Sequence, residues 1–427
     1  MTKFFAAASI LAALAFAATP DAATAQSRES FRATTPTVTP GVEVLFSDPT
    51  YFALIKGKKV GLITNPTGVD SKLTSTIDLL HNHPEVTLVR LFAPEHGVRG
   101  EAYAGVHVDD GVDSKTGAPI TSLHGGRDRR RPSKESLEGI DVMLYDIQDI
   151  GSRSYTYIYT MAYSMEECAK ANIPFLVLDR PNPAGAHIVD GNILNPEEYS
   201  TFVGLYATPY QYGMTPGEVA GLFNQTFNSD RVNLTVVPMK GYKRNMWQWD
   251  TGLPFVPTST HIPSARHAVY YNLTGIIGEI PHISIGVGYT LPFEVIAAPW
   301  IKADEFVAEL RKHDLPGMLI RPISFKPSYS RFSGEMIHGA HFVITDYDAV
   351  RPVTAQITFM EVIQKLYPEA GLFTDEKAEK CLFDEVMGTL SVRTAILAGK
   401  SAKEITADWP AQMAAFETLR TPHLIYK

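Results

Sequence analysis

Cysteine is scarce in this chain. Only Cys168 and Cys381 occur among 427 residues, far apart in the sequence, so a small fold stapled by several disulfides is excluded. Two buried free thiols are expected, although an exported protein could also form a disulfide. Positive charge is not in excess either, since 38 basic side chains stand against 46 acidic ones, a formal net charge of -8. That balance predicts no nucleic-acid partner and no electrostatic attachment to an anionic membrane.

Long apolar runs are also absent. The run between residues 4 and 18 is too short to cross a bilayer, and no later stretch reaches the roughly 20 residues that a span requires. Lys3 precedes this run, and Ala23-Thr24-Ala25 follows it as a small-residue cleavage site. We therefore predict that residues 1–25 are a signal peptide. The remaining chain is expected to be exported to the periplasm or the extracellular space, without a membrane anchor.

Two cofactor signatures are missing. Neither GxGxxG nor GxxxxGK follows the first predicted strand, where the chain reads Asn65-Pro66-Thr67-Gly68. No HExxH or other compact metal-ligand spacing occurs, although several possible ligands share one region: His96, His107, Asp109, Asp110 and His124. The sequence accordingly predicts neither a nucleotide cofactor nor a bound metal.

Strand-like and helix-like patterns alternate along the chain, which predicts an α/β fold. We expect a linker over 26–41, a Rossmann-like domain with a doubly wound, mostly parallel sheet over 42–260, and a smaller α/β domain over 261–427. The first domain should have strands at 59–64, 86–92, 141–145, 174–178 and 232–239, helices at 71–81, 133–137, 155–172 and 215–227, and a long loop at 101–131. The second should have strands at 275–288, 293–296, 318–325 and 339–343, and helices at 303–312, 354–367, 376–385 and 401–418.

Polar side chains follow four of the predicted parallel strands, and the carboxyl ends of such strands meet at one edge of a sheet. They are Asn65, the pair Glu95 and His96, the group Asp146, Gln148 and Asp149 with Arg153 shortly after, and the group Asp179, Arg180 and Asn182. Carboxylates, amides and arginines satisfy the hydroxyls of a sugar. Aromatic side chains that could pack on a sugar ring are Tyr103, Tyr155, Tyr157, Trp247 and Trp249. The sequence thus predicts a saccharide site at this edge.

Hydrolysis of a glycosidic bond requires a proton donor and, in the usual scheme, a second carboxylate. Glu95 fits the donor, because it follows an apolar strand where partial desolvation would favour its protonated form. His96 is a candidate partner. The second carboxylate stays open among Asp146, Asp149, Glu101 and Glu294.

Structural roles compete with each of these assignments. Glu95 could cap a helix, and His96 could hold a backbone carbonyl. Asp146 and Asp149 could cap a helix or pair with Arg153, and Asp179 with Arg180 could form a structural salt bridge. The basic run at 127–131 fits a solvated loop or an anion site, and the two tryptophans fit packing between domains.

Several long strings resemble the NamZ-type exo-β-N-acetylmuramidases of glycoside hydrolase family 171. They include GLITNPTGVD at 61–70, LFAPEHGVRG at 91–100, YDIQDIGSRSYTYI at 145–158 and VLDRPNPAG at 177–185, and the likeness continues through PFEVIAAPWI at 292–301. The resemblance implies an exported enzyme that releases terminal N-acetylmuramic acid from the non-reducing end of peptidoglycan fragments or muropeptides, with no cofactor. It also implies that Glu95, in the PEHG string, is catalytic.

One segment departs from the family pattern. Relatives carry a string resembling S-E-G-R-G-T-T before the PFE motif, whereas residues 284–290 here read SIGVGYT. If the missing charges gripped substrate, the chain could be an altered member that only binds cell-wall amino sugars, or a glycosidase for another amino sugar. For the favoured reading, Arg99, Arg153 and Arg180 are candidates to hold the lactyl group, and Gln148, Tyr155, Asn182 and Glu294 are candidates to bind the sugar.

Overall fold

The computed structural model describes residues 37–100, 109–126, 129–370, 372–373 and 376–427. The predicted signal peptide, most of the predicted linker, and Glu101, Tyr103 and His107 lie outside these residues. At the start of the described part, Thr39 pairs with Lys240 and the first helix begins at Gly41. Cys168 and Cys381 are both free thiols, the first fully buried and the second partly buried. No helix in the described ranges is long and apolar enough to cross a membrane.

A seven-stranded sheet forms the centre of the first part of the chain. Its strand order is β3-β4-β2-β1-β5-β6-β9, and all neighbouring pairs are parallel except β3 with β4 at one edge. Apart from the edge strand β3, chain order runs outward in both directions from β1, so the sheet is doubly wound, as predicted. The strands are β1 (Lys59–Thr64), β2 (Thr87–Ala93), β3 (Gly111–Val112), β4 (Pro119–Ser122), β5 (Val142–Asp146), β6 (Phe175–Leu178) and β9 (Leu234–Val237).

Helices cover both faces of this sheet. Leu62 and Leu144 point into a core with α1 (Gly41–Ser47) and α3 (Thr76–Asn82), while Ile63 and Tyr145 point into the opposite core. That second core contains α5 (Tyr157–Lys170) and α7 (Pro216–Leu222). Adjacent residues on one strand thus serve different cores, which is why these strands are apolar without interruption. Three further helices are short: α2 (Pro49–Phe52), α4 (Lys134–Leu137) and α6 (Pro196–Tyr199).

The second part of the chain has a smaller antiparallel sheet with helices packed against it. Its strand order is β10-β12-β11, formed by β10 (Val295–Ala298), β11 (Met318–Phe325) and β12 (Ile337–Ile344). The helices are α8 (Arg266–Thr274), α9 (Ala303–Leu310), α10 (Pro352–Leu366), α11 (Glu376–Glu379), α12 (Phe383–Met387), α13 (Ser391–Leu397), α14 (Ala402–Ile405) and α15 (Trp409–Arg420). This agrees with the predicted smaller α/β part.

Several elements differ from the sequence prediction. No strand covers 275–288, because the chain there follows α8 with a short 3-10 turn, Ile277–Glu279, and then irregular backbone. The apolar side chains of this stretch serve the core around α8 and not a strand face. Strand β4 lies inside the predicted long loop. The hairpin β7 (Asp190–Ile193) with β8 (Pro209–Gln211) was not predicted, since each strand is too short for a periodic signal.

The two parts share core residues. The core around α8 and α10 also contains Ile150, Ile188, Tyr210 and Trp247 from before residue 260. All described residues fall within one compact unit, Pro36–Lys427. The domain boundary at 260 therefore stays a prediction. A cavity lies where the two parts meet.

Candidate active site

A cavity of about 420 Å³ lies where loops of the first part meet the second part of the chain. One wall comes from the loop after β2 and from the residues that lead into α5. The opposite wall comes from α8, the 3-10 turn after it, and the segment around α12. The lining residues are Glu95, His96, Ser154, Tyr155, Thr156, Val203, Ser259, His261, Ile262, Tyr271, Glu279, Phe293, Leu382 and Val386.

Backbone strain marks both walls. His96 has φ +75° and Phe293 has φ +67°, and few non-glycine residues adopt this left-handed conformation. The turn that follows Pro94 ends β2 and uses the left-handed pair His96 and Gly97, which leaves Glu95 partly buried at the cavity wall. Strained residues of this kind cluster at functional sites, where surrounding structure holds them in place.

The Glu95 carboxylate is held at the start of α5. Thr156, the residue before that helix, donates its hydroxyl hydrogen bond to Oε2 of Glu95 over 2.9 Å. The first turn of a helix presents unpaired backbone N–H groups and the positive end of the helix dipole, so a negative charge is favoured there. Both features place the Glu95 carboxyl group where polar partners can hold it.

Two histidines add polar groups to the cavity. His96 is buried, and His261 reaches the same space from the crossover between the two parts. Burial lowers the pKa of His261, and the nearby His96 lowers it further. Among the lining residues within the described ranges, these two imidazoles are the side chains that can carry positive charge.

A second carboxyl group lies on the opposite wall. Glu279 ends the 3-10 turn Ile277–Glu279, next to Tyr271 of α8. Burial raises the pKa of Glu279, and Arg331 only partly offsets this. No sequence signal pointed to five of the lining residues, which are Glu279, Tyr271, His261, Ser154 and Thr156. Glu279 stood inside a segment predicted as a strand, and no local pattern distinguishes it from a surface glutamate.

Three of the predicted site residues line the cavity: Glu95, His96 and Tyr155. The Tyr155 hydroxyl donates to Thr258 Oγ1 over 3.0 Å, and its ring packs edge-on against Tyr271, with 5.9 Å between ring centroids. Tyr155 therefore joins the two walls. Its position is compatible with the predicted sugar contact, and that role stays a prediction.

The polar residues that follow β1 and β5 form a buried hydrogen-bond network. Asn65 Oδ1 accepts from the backbone N–H and the hydroxyl of Thr67, and the Thr67 hydroxyl accepts from the Gln148 backbone. The Gln148 side chain donates to the carbonyl oxygens of Asp149 and Pro181. These groups fix the strand ends to one another and are not among the residues that line the cavity.

The carboxylates after β5 are buried. Asp146 forms a two-contact ion pair with Arg180, at 2.5 and 2.8 Å, and accepts the Thr76 hydroxyl. Asp149 accepts hydrogen bonds from the Gly151 backbone and the Tyr212 hydroxyl, and burial raises its pKa to about 6. Neither carboxylate lines the cavity, so their positions favour the structural alternatives.

The residues after β6 bind the start of α7. Asp179 accepts from the Thr215 hydroxyl, the Gly217 backbone and the Tyr426 hydroxyl, and burial raises its pKa to about 7. Asn182 donates to the Met214 carbonyl. The predicted salt bridge between Asp179 and Arg180 does not form, because Arg180 pairs with Asp146 instead.

The arginines proposed for the lactyl group are engaged elsewhere. Arg153 is fully buried and donates to four backbone carbonyls, those of Asn192, Thr208, Val386 and Met387. Arg99 pairs with Asp113 at 2.9 and 3.0 Å, and its hydrogen bonds lower the pKa of Asp113 to about 2. Neither arginine lines the cavity, so their positions do not support a contact with substrate.

Glu294 belongs to a separate cluster. Its carboxylate pairs with His267 at 3.1 Å and with His341 at 3.4 Å. Burial would raise the pKa of Glu294, but hydrogen bonds from both histidines lower it to about 2. Its neighbour Phe293 lines the cavity and Glu294 does not.

Two further sequence predictions involve aromatic and apolar residues. Trp247 and Trp249 stack at 5.2 Å between ring centroids and pack against Tyr347, which supports a packing role. Ile285 and Val287, where the resemblance leads one to expect charges, line a separate small cavity of about 140 Å³ beside Arg331. The changed segment therefore does not remove a charge from the wall that carries Glu95.

Comparisons with known proteins cover nearly the whole described chain. Residues 60–266 match the family model for the N-terminal part of exo-beta-N-acetylmuramidase NamZ, and residues 269–426 match the C-terminal one. A peptidoglycan beta-N-acetylmuramidase NamZ of Bacillus subtilis is 44% identical over 391 residues, 92% of each chain. Two DUF1343 family crystal structures from Bacteroides fragilis are similar: one has TM-score 0.86 and 41% identity, covering 92% of this chain and all of the other. The second has TM-score 0.72 and 29% identity, covering 91% and 99%.

Proposed function

We propose that this chain, which belongs to the exo-β-N-acetylmuramidase NamZ family, is an exported enzyme that removes terminal N-acetylmuramic acid from the non-reducing end of peptidoglycan fragments. Such an activity serves turnover and recycling of the cell wall. The Bacillus relative, which matches nearly the whole of this chain, is named a peptidoglycan beta-N-acetylmuramidase. That name supports peptidoglycan as the class of substrate.

The observation that carries the proposal is the position of Glu95. It lies partly buried in the wall of a cavity of about 420 Å³, a size in the range of small-molecule sites. Histidines, hydroxyls and tyrosines surround it and can satisfy the polar groups of one sugar unit. A cavity of this size could take one terminal sugar unit, which is compatible with removal of sugars from a chain end.

The proposal is tested with an aryl β-N-acetylmuramide, from which hydrolysis releases a coloured or fluorescent alcohol. Glu95→Gln keeps the shape of the side chain but removes its charge and its proton. We expect its rate to fall by about 100-fold or more. The matched control is Glu335→Gln, the same change at an exposed residue, which should leave the rate unchanged. An undiminished rate in Glu95→Gln would remove Glu95 from the mechanism.

The same assay separates the alternatives. An aryl β-N-acetylglucosaminide, which lacks the lactyl group, should be a much poorer substrate than the muramide. Comparable rates would indicate a glycosidase for another amino sugar, and binding of muropeptides without turnover would indicate the inactive alternative.

Export has its own test. When the full chain is expressed in a bacterium that has an outer membrane, we expect to find the protein in the periplasm or the medium. Mass spectrometry of its N-terminus should begin at Gln26. A cytoplasmic protein that retains Met1 would contradict the assignment of residues 1–25.

A further inference from the structure

We propose that Glu279 is the second catalytic carboxyl group of this site, beside Glu95, and the one that gives its proton to the glycosidic oxygen. This deepens the proposed function and rests on it. It also transfers the role of proton donor from Glu95, where the sequence analysis placed it, to a residue that the sequence did not single out.

The position of Glu279 is fixed by its backbone. The 3-10 turn that it ends is attached to α10, since the Ile277 N–H donates to Oε1 of Gln356 over 3.0 Å. The Glu279 N–H closes the turn by donating to the carbonyl of Ile276 over 3.0 Å. A rigid turn thus holds Glu279 at the cavity wall, on a segment other than the loop that carries Glu95.

The surroundings of Glu279 favour its neutral form. Within the described ranges, no hydrogen bond or ion pair to the Glu279 carboxyl group is formed by another protein group. The nearest cation, Arg331, uses Nη1 to donate to the carbonyls of Gly278, Ile280 and Ile283, at 2.6, 2.7 and 2.8 Å. A carboxyl group in a mostly apolar wall without such partners holds its proton more firmly than one in water.

The other titratable groups around Glu279 are neutral in their usual forms. They are Tyr271 of α8, Tyr210 of β8 and Cys381 just before α12. Burial raises the pKa of each, and Arg331 is accordingly the permanent charge beside Glu279. Across the cavity lie Glu95, His96, His261 and Tyr155.

Glu95 has different surroundings. Its carboxylate accepts the Thr156 hydroxyl at the start of the 14-residue helix α5. Two carboxyl groups in one cavity, held in different surroundings, are the arrangement from which glycosidases obtain separate roles for identical side chains.

The proton balance of the reaction follows from these roles. The Glu279 proton moves to the glycosidic oxygen, which departs with the bonding electron pair as an alcohol. The positive charge left at the anomeric carbon faces the Glu95 carboxylate. A water molecule then adds to that carbon and gives its proton to the Glu279 carboxylate, so both groups end in the states in which they began.

The test compares two substrates that differ in their need for a proton. The disaccharide of N-acetylmuramic acid β-1,4-linked to N-acetylglucosamine has a leaving alcohol that requires protonation, whereas a 2,4-dinitrophenyl β-N-acetylmuramide does not. For Glu279→Gln we expect the disaccharide rate to fall by about 10²–10⁴-fold and the dinitrophenyl rate by less than about 10-fold. Glu95→Gln should lose both rates to a similar extent.

The pH dependence gives an independent readout. In the wild-type enzyme, kcat/KM for the disaccharide should fall at alkaline pH as Glu279 loses its proton, and this limb should vanish in Glu279→Gln. Glu279→Asp keeps an acid at the position with a shorter reach. It should retain the alkaline limb at a reduced rate, which keeps the test usable if the glutamine variant does not fold.

Three results would overturn the proposal. Equal losses on both substrates in Glu279→Gln would assign Glu279 a different role, and unchanged rates would assign it none. Loss confined to the disaccharide in Glu95→Gln would make Glu95 the donor. If the wild-type enzyme cleaves neither muramide, it is the proposed function that fails, and the variants are not needed to decide it.

Discussion

The hydroxyl of Thr156 donates a 2.9 Å hydrogen bond to Oε2 of Glu95, and Thr156 is also the residue from which α5 starts. The loop after β2 and the start of the helix after β5 are thereby joined at the carboxylate. The contact therefore helps to hold the Glu95 carboxyl group at the cavity wall.

Thr156→Val tests this contact, because valine keeps the shape of threonine and removes the hydroxyl. Loss of a hydrogen bond to a charged group costs about 1.5–3 kcal/mol, so we expect kcat to fall by about 10-fold or more. The fall should be similar for dinitrophenyl and disaccharide substrates, since Glu95 acts in both reactions. Thr418→Val, the same change on the exposed face of α15, is the control. Unchanged kcat in Thr156→Val would show that the contact does not orient Glu95 during catalysis.

His261 lines the cavity, and we predict that it contacts the lactyl group of the substrate. Neither lysine nor arginine lines the described cavity wall, so a lactyl carboxylate would meet His261 or His96. We expect His261→Asn to raise KM for the aryl muramide about 10-fold and to leave KM for the aryl glucosaminide nearly unchanged. His81→Asn, at an exposed position on α3, is the control.

The pH dependence of this effect has a defined sign. Because burial lowers the pKa of His261, the imidazole gains its positive charge only as the pH falls below its usual range. KM for the muramide should therefore decrease between pH 7 and pH 5 in the wild-type enzyme and not in His261→Asn. Equal pH dependence in both would assign the lactyl contact to another residue.

We predict that Asp113 stabilises the fold and that this contribution is lost in acid. Its pairing with Arg99 lowers the pKa of Asp113 from 3.8 to about 2. A carboxylate whose pKa is lower in the folded than in the unfolded protein stabilises the fold at pH values above its unfolded pKa. This contribution is lost as the pH falls from about 4 to 2. Asp113→Asn should reduce the free energy of unfolding at pH 7 by about 1–2 kcal/mol, with the difference shrinking toward pH 2. Urea unfolding at several pH values checks this, and a difference independent of pH would contradict it.

The first sheet could be predicted because its strands are buried on both faces. β1 was predicted at its observed bounds, and β2, β5 and β6 within one residue at each end, since continuous apolar runs that end at polar or proline residues give a strong local signal. β7 and β8 were missed because strands of at most four residues depend on tertiary contacts for their formation. The segment 275–288 was predicted as a strand because its apolar residues resemble one, although they pack around α8.

The candidate site could be predicted only in part. Glu95 and His96 were found because they follow a strand at the edge where ligands bind, but Asp146, Asp179 and Arg180 have the same signal. Sequence alone could not tell that Asp146 and Arg180 satisfy each other in the interior. Glu279 could not be found at all, since only the packing of two distant segments brings it to the same cavity as Glu95.

Replacement of Arg153 should cause a large loss of stability. Its guanidinium donates to the carbonyls of Asn192 and Thr208 beside the β7–β8 hairpin, and to those of Val386 and Met387 at the end of α12. Arg153→Met would leave four buried acceptors without this donor, and unsatisfied buried groups cost about 1–3 kcal/mol each. We expect urea unfolding to show a loss of at least about 3 kcal/mol, against no measurable loss in the exposed control Arg266→Met.

Val386 also lines the cavity, so Arg153 holds one part of its wall in place. A folded Arg153→Met protein should therefore show a raised KM for both muramide substrates, in equal proportion. If stability is unchanged and KM rises for the muramide alone and not for the glucosaminide, Arg153 would be a lactyl contact after all, because only direct recognition of that group separates the two sugars.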